Sequence, residues 1–174
     1  MNTLKRRLLA AGLALGLASG LAVAAEYAEP DFIFKVRTVF RLLSPDAYIR
    51  VHAVDDPKVE GVACHFAVPE IGGWKGWAGL AEERSEVSLA CRQIGPIRFK
   101  GKFEQGEAFY EARRSFLFKK LHLVRACDEK RNVLVYLTYS DKLIEGSPKN
   151  SISTVPIMPW GDQPAPKCKD FVQK

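Results

Sequence analysis

The sequence predicts a mainly β domain, a sandwich or barrel-like antiparallel sheet with little helix, with an α+β arrangement as the alternative. Three observations carry this. Short apolar runs alternate with polar residues at a period of two. Gly, Pro, Asp and Asn clusters separate those runs at short intervals. Five of the ten prolines, Pro148, Pro156, Pro159, Pro164 and Pro166, fall after Ser147, where such a density leaves no room for a long helix or a central strand.

The elements follow in chain order. From Asp31 to Leu43, Phe34, Val36, Phe40 and Leu42 alternate with Lys35, Arg37 and Arg41, and the β-branched and aromatic content favours a strand over a helical face. Ser44-Pro45-Asp46 is a turn, and Tyr48 to Val54 forms the second strand. Asp55-Asp56-Pro57 breaks it, with solvated turn acids expected there, and Gly61 to Val68 forms the third strand. Gly72 to Gly79 is a glycine-rich loop leading into one short helical turn at Leu80–Arg84. Val87 to Ile94 is the fourth strand, halted by Gly95-Pro96. Ile97 to Phe103 is a fifth, before a turn at Gly106. Phe116 to Cys127 and Val133 to Ser140 flank a polar loop and read as a hairpin. From Ser147 an extended tail lies over the domain.

The first residues have the three parts of a cleavable leader. Lys5, Arg6 and Arg7 form a positive n-region, Leu8 to Ala18 an apolar h-region, and Ala22-Val23-Ala24-Ala25 a small-residue cleavage site after either Ala24 or Ala25. An uncleaved anchor is the alternative, but Leu8 to Ala25 is at the short limit for a span and contains Gly12, Gly16 and Gly20. Sec export is the default, and the Arg6-Arg7 pair also admits the twin-arginine route. The expected organisation is a signal peptide over 1–25, one β-rich domain over 26–160 and a C-terminal tail over 161–174. Removing 25 of the 174 residues leaves 149, the size of one domain, with no stable membrane span after cleavage. The leader holds three basic residues and no acidic ones, so the chain's +6 falls to +3, too small an excess to imply a nucleic-acid partner.

Four cysteines in an exported chain read as disulfides. Cys64 shares a strand face with Val62, Phe66 and Val68, and Cys91 shares one with Val87 and Leu89. Of the three possible connectivities this favours Cys64–Cys91, leaving Cys127–Cys168 to pin the tail. No CxxC exists for redox or zinc chemistry, and Cys64 and His65 point to opposite strand faces, against a nucleophile–base pair.

Templates for catalysis fail in turn. Lys75 does not complete a phosphate-binding loop. His52, His65 and His122 lack metal spacing, and no nucleophile elbow occurs. No cofactor and no metal are expected. Trp74 and Trp77 offer an aromatic platform for a sugar or lipid, or cover the core. Carboxylates are the remaining polar material: Asp55-Asp56, Glu82-Glu83, Asp141 and Glu145 would serve a hydrolase if two of them met in a cleft.

Thr38-Val39-Phe40, Asp55-Asp56-Pro57, Gly72-Gly73-x-Lys75-Gly76-x-x-Gly79-Leu80-Ala81-Glu82 and Gly95-Pro96-Ile97 are stretches that resemble the CreA (catabolite regulation protein A) family of Gram-negative bacteria. Further on come Asp128-x-Lys130-Arg131-Asn132, Tyr139-Ser140-Asp141-Lys142 and the long run from Glu145-Gly146-Ser147-Pro148-Lys149-Asn150 to Val155-Pro156-x-Met158-Pro159-Trp160. Together they cover about residues 37 to 160. The resemblance implies an exported periplasmic protein with no settled biochemical activity, and puts Cys64 and Cys91 at the family's two usual cysteine positions. Ser44 stands where the family has glycine. Cys127 and the tail bearing Cys168 are extra, and their joint appearance supports their pairing.

The expected function is therefore a non-enzymatic binding or accessory protein of the cell envelope, with an envelope protein or small ligand as partner. The alternatives are a carboxylate hydrolase and a structural envelope component. The motif-dense, polar, Gly- or Pro-rich segments place the expected binding site at Lys75, Glu82, Asp141, Lys142, Glu145, Lys149 and Asn150, with Trp160 as an apolar wall.

Overall fold

The structure, a computed structural model, describes residues 28–39, 47–71, 87–113, 120–141 and 149–174. The expected leader, the end of the first strand, the Ser44-Pro45-Asp46 turn, the glycine-rich loop and the helical turn at Leu80–Arg84 lie outside these residues. Among the described residues no helix is long and apolar enough to cross a membrane.

The chain is mainly β, as predicted, and the eight strands among the described residues run in two consecutive antiparallel meanders. Sheet one is β1 (Asp31–Val39), β2 (Ala47–Asp55), β3 (Val59–Ile71) and β4 (Ser88–Phe99). Sheet two is β5 (Glu107–Arg113), β6 (Lys120–Asp128), β7 (Val133–Ser140) and β8 (Asn150–Pro156). Each meander is built from neighbours in sequence, so no long crossover is needed.

Alternation decides which residues meet between the sheets. Leu134, Tyr136, Thr138 and Ser140 of β7 are buried, while the intervening residues are half-buried. Val54, Cys64, Phe66, Val68, Leu89 and Cys91 of sheet one pack with Phe109, Tyr110, Leu121, Leu123, Tyr136 and Val155 of sheet two in one core. The Phe66 and Tyr110 rings meet across it, 5.3 Å apart between centroids. The Ser153 hydroxyl of β8 accepts from the Cys91 amide of β4 at 2.8 Å, joining the two edge strands.

Both expected disulfides are formed. Cys64 and Cys91 are cross-strand neighbours with Cα atoms 4.0 Å apart, and Cys127 and Cys168 are 5.9 Å apart. The second bridge fastens residues 161–174, whose 3-10 turn at Cys168–Phe171 sits beneath β6. The Asn132 side chain holds the same segment, donating to the Pro166 carbonyl at 3.0 Å and accepting from the Cys168 amide at 2.9 Å.

Two expectations need correction, and one strand was not expected. Gly95-Pro96 does not end a strand: the fourth and fifth expected strands are one strand, β4. Pairing runs Glu60 to Arg98 and then Val62 to Gln93, so Gly61 alone faces Ile94–Ile97 across a bulge. Gly61 has φ +83, and a Cβ there would lie 2.8 Å from the Pro96 carbonyl carbon and 2.9 Å from the Gly95 oxygen. β4 is the outer strand of its sheet, where a proline within a bulge is tolerated. Secondly, β5 carried no signal of its own: Glu-Ala-Phe-Tyr-Glu-Ala-Arg is rich in residues that strands disfavour, and its partner β6 imposes the extended form. Thirdly, the proline-rich tail does not begin at Ser147, because Asn150–Pro156 is the edge strand β8 and only the residues after it run as tail.

Candidate functional site

Among the described residues polar side chains gather at two places, and exposed apolar side chains on a hydrogen-bonded segment mark a third. The first is internal. Arg125 of β6 falls on the same strand face as Leu121, Leu123 and Cys127 and is carried into the core, with its side chain 1% exposed. Its guanidinium donates to Asp56 Oδ1 at 2.6 Å and pairs with Glu107 Oε2 at 3.0 Å. The rings of Phe103 and Phe109 lie 5.3 and 5.7 Å from it. Asp56 also accepts from the Tyr136 hydroxyl at 3.1 Å and the Lys58 amide at 2.9 Å, while the Lys58 ammonium reaches Glu107 at 2.5 Å.

Asp56 is thus not a solvated turn acid; only its neighbour Asp55 is exposed. Burial pushes the Asp56 carboxyl above its ordinary value, against the pull of Arg125, the Lys58 amide and Tyr136. Burial, and then the facing Asp56 charge, raises the Tyr136 hydroxyl well above its ordinary value. Burial also acts upward on Glu107, but the Lys58 hydrogen bond and the Arg125 charge outweigh it and hold this carboxyl low. The cluster joins the β2–β3 turn to three strands of sheet two. Arg125 and Asp56 are buried, 1% and 4% exposed, and the cluster clasps the two sheets together.

The second place is on the outer face of sheet two. Cross-strand pairing sets Glu111 of β5 beside His122 of β6, and His122 beside Tyr139 of β7. Glu111 Oε1 lies 3.0 Å from His122 Nδ1, and Asp141 Oδ2 lies 2.9 Å from Nε2. The Tyr139 ring stacks on the imidazole at 4.8 Å, and Lys120 reaches Glu111 at 3.6 Å. A histidine base needs one nitrogen oriented by a carboxylate and the other open to a substrate proton. Here each nitrogen faces a carboxylate, and a neutral ring has one N–H for the two of them. The carboxylates flank opposite sides of the ring, and among the described residues no three His, Cys, Asp or Glu side chains converge to hold a metal.

The third place follows β8. The Gln93 amide of β4 donates to the Met158 carbonyl at 3.0 Å and accepts from the Met158 amide at 3.0 Å, as a neighbouring strand would. Its N–H2 group also donates to Gly95 at 3.0 Å. Trp160 and Gln163 exchange two backbone hydrogen bonds of 3.1 Å around Gly161, whose φ of +58 suits the tight turn. The backbone here is hydrogen-bonded on both sides of Pro159, yet the apolar side chains face outward, Met158 59% and Trp160 45% exposed, while Ile94, 58% exposed, follows Gln93 and points to the other face of β4.

Of the residues expected to form a site, Asp141 belongs to the His122 cluster. Lys149 and Asn150 are beside it, since Lys149 O accepts from the Ser140 amide at 3.2 Å and Asn150 pairs with Tyr139. Trp160 is not a wall for them: it follows Pro156, which pairs with Val133 at the far end of β7. Lys75, Glu82, Glu83, Lys142 and Glu145 lie outside the described residues. Sequence reasoning missed Arg125, His122 and Gln93. A charge in phase with Leu121, Leu123 and Cys127 was a usable signal for the first. Nothing local marks Gln93.

Fold and sites define a disulfide-stapled double-sheet β domain with a buried ionic clasp and exposed apolar side chains at Met158 and Trp160. The chain matches the family model described as "CreA protein" over residues 33–160. "Protein CreA" of Escherichia coli strain K12 is 47% identical to it over 148 residues, covering 83% of this chain and 94% of the relative, and those of the O6:H1 and O157:H7 strains match equally. The chain belongs to the CreA family. No solved structure matches it.

Proposed function

We propose that this chain is an exported, periplasmic protein of the cell envelope that binds a partner without catalysing a reaction. The observation that carries this reading is the pair Met158 and Trp160, exposed on the segment that Gln93 holds. Two large apolar side chains stand in water on a backbone hydrogen-bonded to Gln93 and closed by the Trp160–Gln163 turn. A fixed backbone lowers the ordering cost of docking, and Trp and Met are enriched at protein interfaces. Met158 and Trp160 lie at the end of the family match.

Export is supported by the leader pattern and by two disulfides, which persist in an oxidising compartment. Of the acids offered to the hydrolase alternative, Asp56 is buried against Arg125 and Asp141 faces a histidine already met by Glu111, which disfavours those two as a catalytic pair. The test is a photo-crosslinking amino acid placed at Met158 or Trp160 in living cells, with exposed Lys169 as control. A discrete adduct from the first two positions and none from Lys169 is expected. Equal labelling from all three, or none, rejects this surface as the binding site.

A further inference from the structure

A different edge of the molecule has the form of a strand acceptor. β1 is the outer strand of sheet one and pairs with β2 alone among the described strands. Register breaks between Phe32 and Phe34 and between Arg37 and Val39 isolate one regular stretch, Phe34–Arg37. Opposite it stand Val51, Arg50, Ile49 and Tyr48 in that order. Phe34 and Val36 therefore share one sheet face with Ile49 and Val51, while Lys35 and Arg37 share the other with Arg50 and Tyr48. Phe34 and Val36 are each 49% exposed. The Lys35 ammonium and Arg37 guanidinium lie 5.2 and 5.7 Å from the Tyr48 ring, which keeps both charges on that face.

An outer strand with apolar residues on one face and cations on the other sets terms for whatever pairs with it. A second copy fits badly. Two-fold antiparallel pairing of this stretch, in any register that joins more than one of its residues, sets Lys35 against Lys35 or against Arg37, and like charges directly opposite are unfavourable. We propose that β1 accepts an extended segment of another protein as a fifth strand of sheet one, a segment alternating acidic with apolar side chains. Its acids would face Lys35 and Arg37, its apolar residues would cover Phe34 and Val36, and its backbone would continue the ladder. This site is separate from the Met158–Trp160 surface, and its failure leaves that reading untouched.

The probe is a synthetic octapeptide alternating glutamate and valine, added at low salt to the leader-free chain with both disulfides intact. Its control alternates lysine and valine. Amide hydrogen exchange of Phe34–Arg37 should slow with the glutamate peptide and not with the lysine peptide. Lys35→Glu, an exposed position, should weaken the glutamate peptide about tenfold and shift preference toward the lysine peptide. Phe34→Ser should weaken the glutamate peptide while leaving that charge preference intact. Unchanged exchange, or equal response to both peptides, overturns the proposal. Protection of β1 in a concentration-dependent dimer without peptide overturns it in favour of a second copy. Binding to phosphatidylglycerol vesicles in place of the peptide overturns it in favour of a membrane surface.

Discussion

Arg125 shows how one residue can be legible in kind and illegible in consequence. Its phase with Leu121, Leu123 and Cys127 already points a charge at the core. The counter-ions do not follow from sequence, because Asp56 is 69 residues away and reaches Arg125 only when the sheets close. Removing a single partner of such a pair leaves a buried charge alone. Arg125→Met is expected to cost about 3–5 kcal/mol in urea unfolding, and adding Asp56→Leu should recover part of that loss. Acid stability separates the two carboxylates. Glu107 is held below its ordinary 4.5, so its contribution is complete above pH 4.5 and is lost as pH falls through its lower folded value. Asp56 is raised, so its contribution has the opposite sign: it is complete below pH 3.8 and fades as pH climbs through the folded value. Glu107→Gln should therefore be less stable than the parent at pH 7, and unfolding curves should converge as pH drops below 4.5.

Among the elements, strands with clean alternation were readable, and those shaped by a partner were not. β2, β3 and the β6–β7 hairpin each carry their own period-two pattern. β5 has a helix-like composition and is a strand because β6 pairs with it. Gly95-Pro96 looks like a stop because proline rarely enters a ladder; the stop is avoided by Gly61, more than 30 residues earlier, which opens a bulge for it. Gly61→Ala should thus cost about 1–3 kcal/mol, since it adds a Cβ against the Gly95-Pro96 backbone and strains a positive φ. Thermal unfolding would measure it, and a neutral result would mean that β4 can shift away from β3. The same logic explains the candidate surface. Trp160 and Met158 sit in a motif-rich segment, but only the contact with Gln93 reveals that they are presented at the edge beside β4, away from Asp141.

For the molecule as a whole, cysteine phase and count were enough to give the connectivity, because a cross-strand bridge requires both thiols on one face. The Cys127–Cys168 bridge closes 41 residues and fastens a tail beyond the family match at residue 160. Cys127→Ser with Cys168→Ser should lower stability by ~4 kcal/mol in the chain-entropy description, read from denaturant midpoints, while leaving Cys64–Cys91 intact in peptide maps. The central claim is that the apolar surface at Met158 and Trp160 holds a partner in the envelope, and the apparent mass of the protein in fresh periplasmic extract tests it most directly. The parent chain should elute well above its monomer mass in extract and as a monomer once purified, and Met158→Ser with Trp160→Ala should elute as a monomer in both. A monomer in extract for the parent, or a large species that survives both substitutions, would contradict the claim.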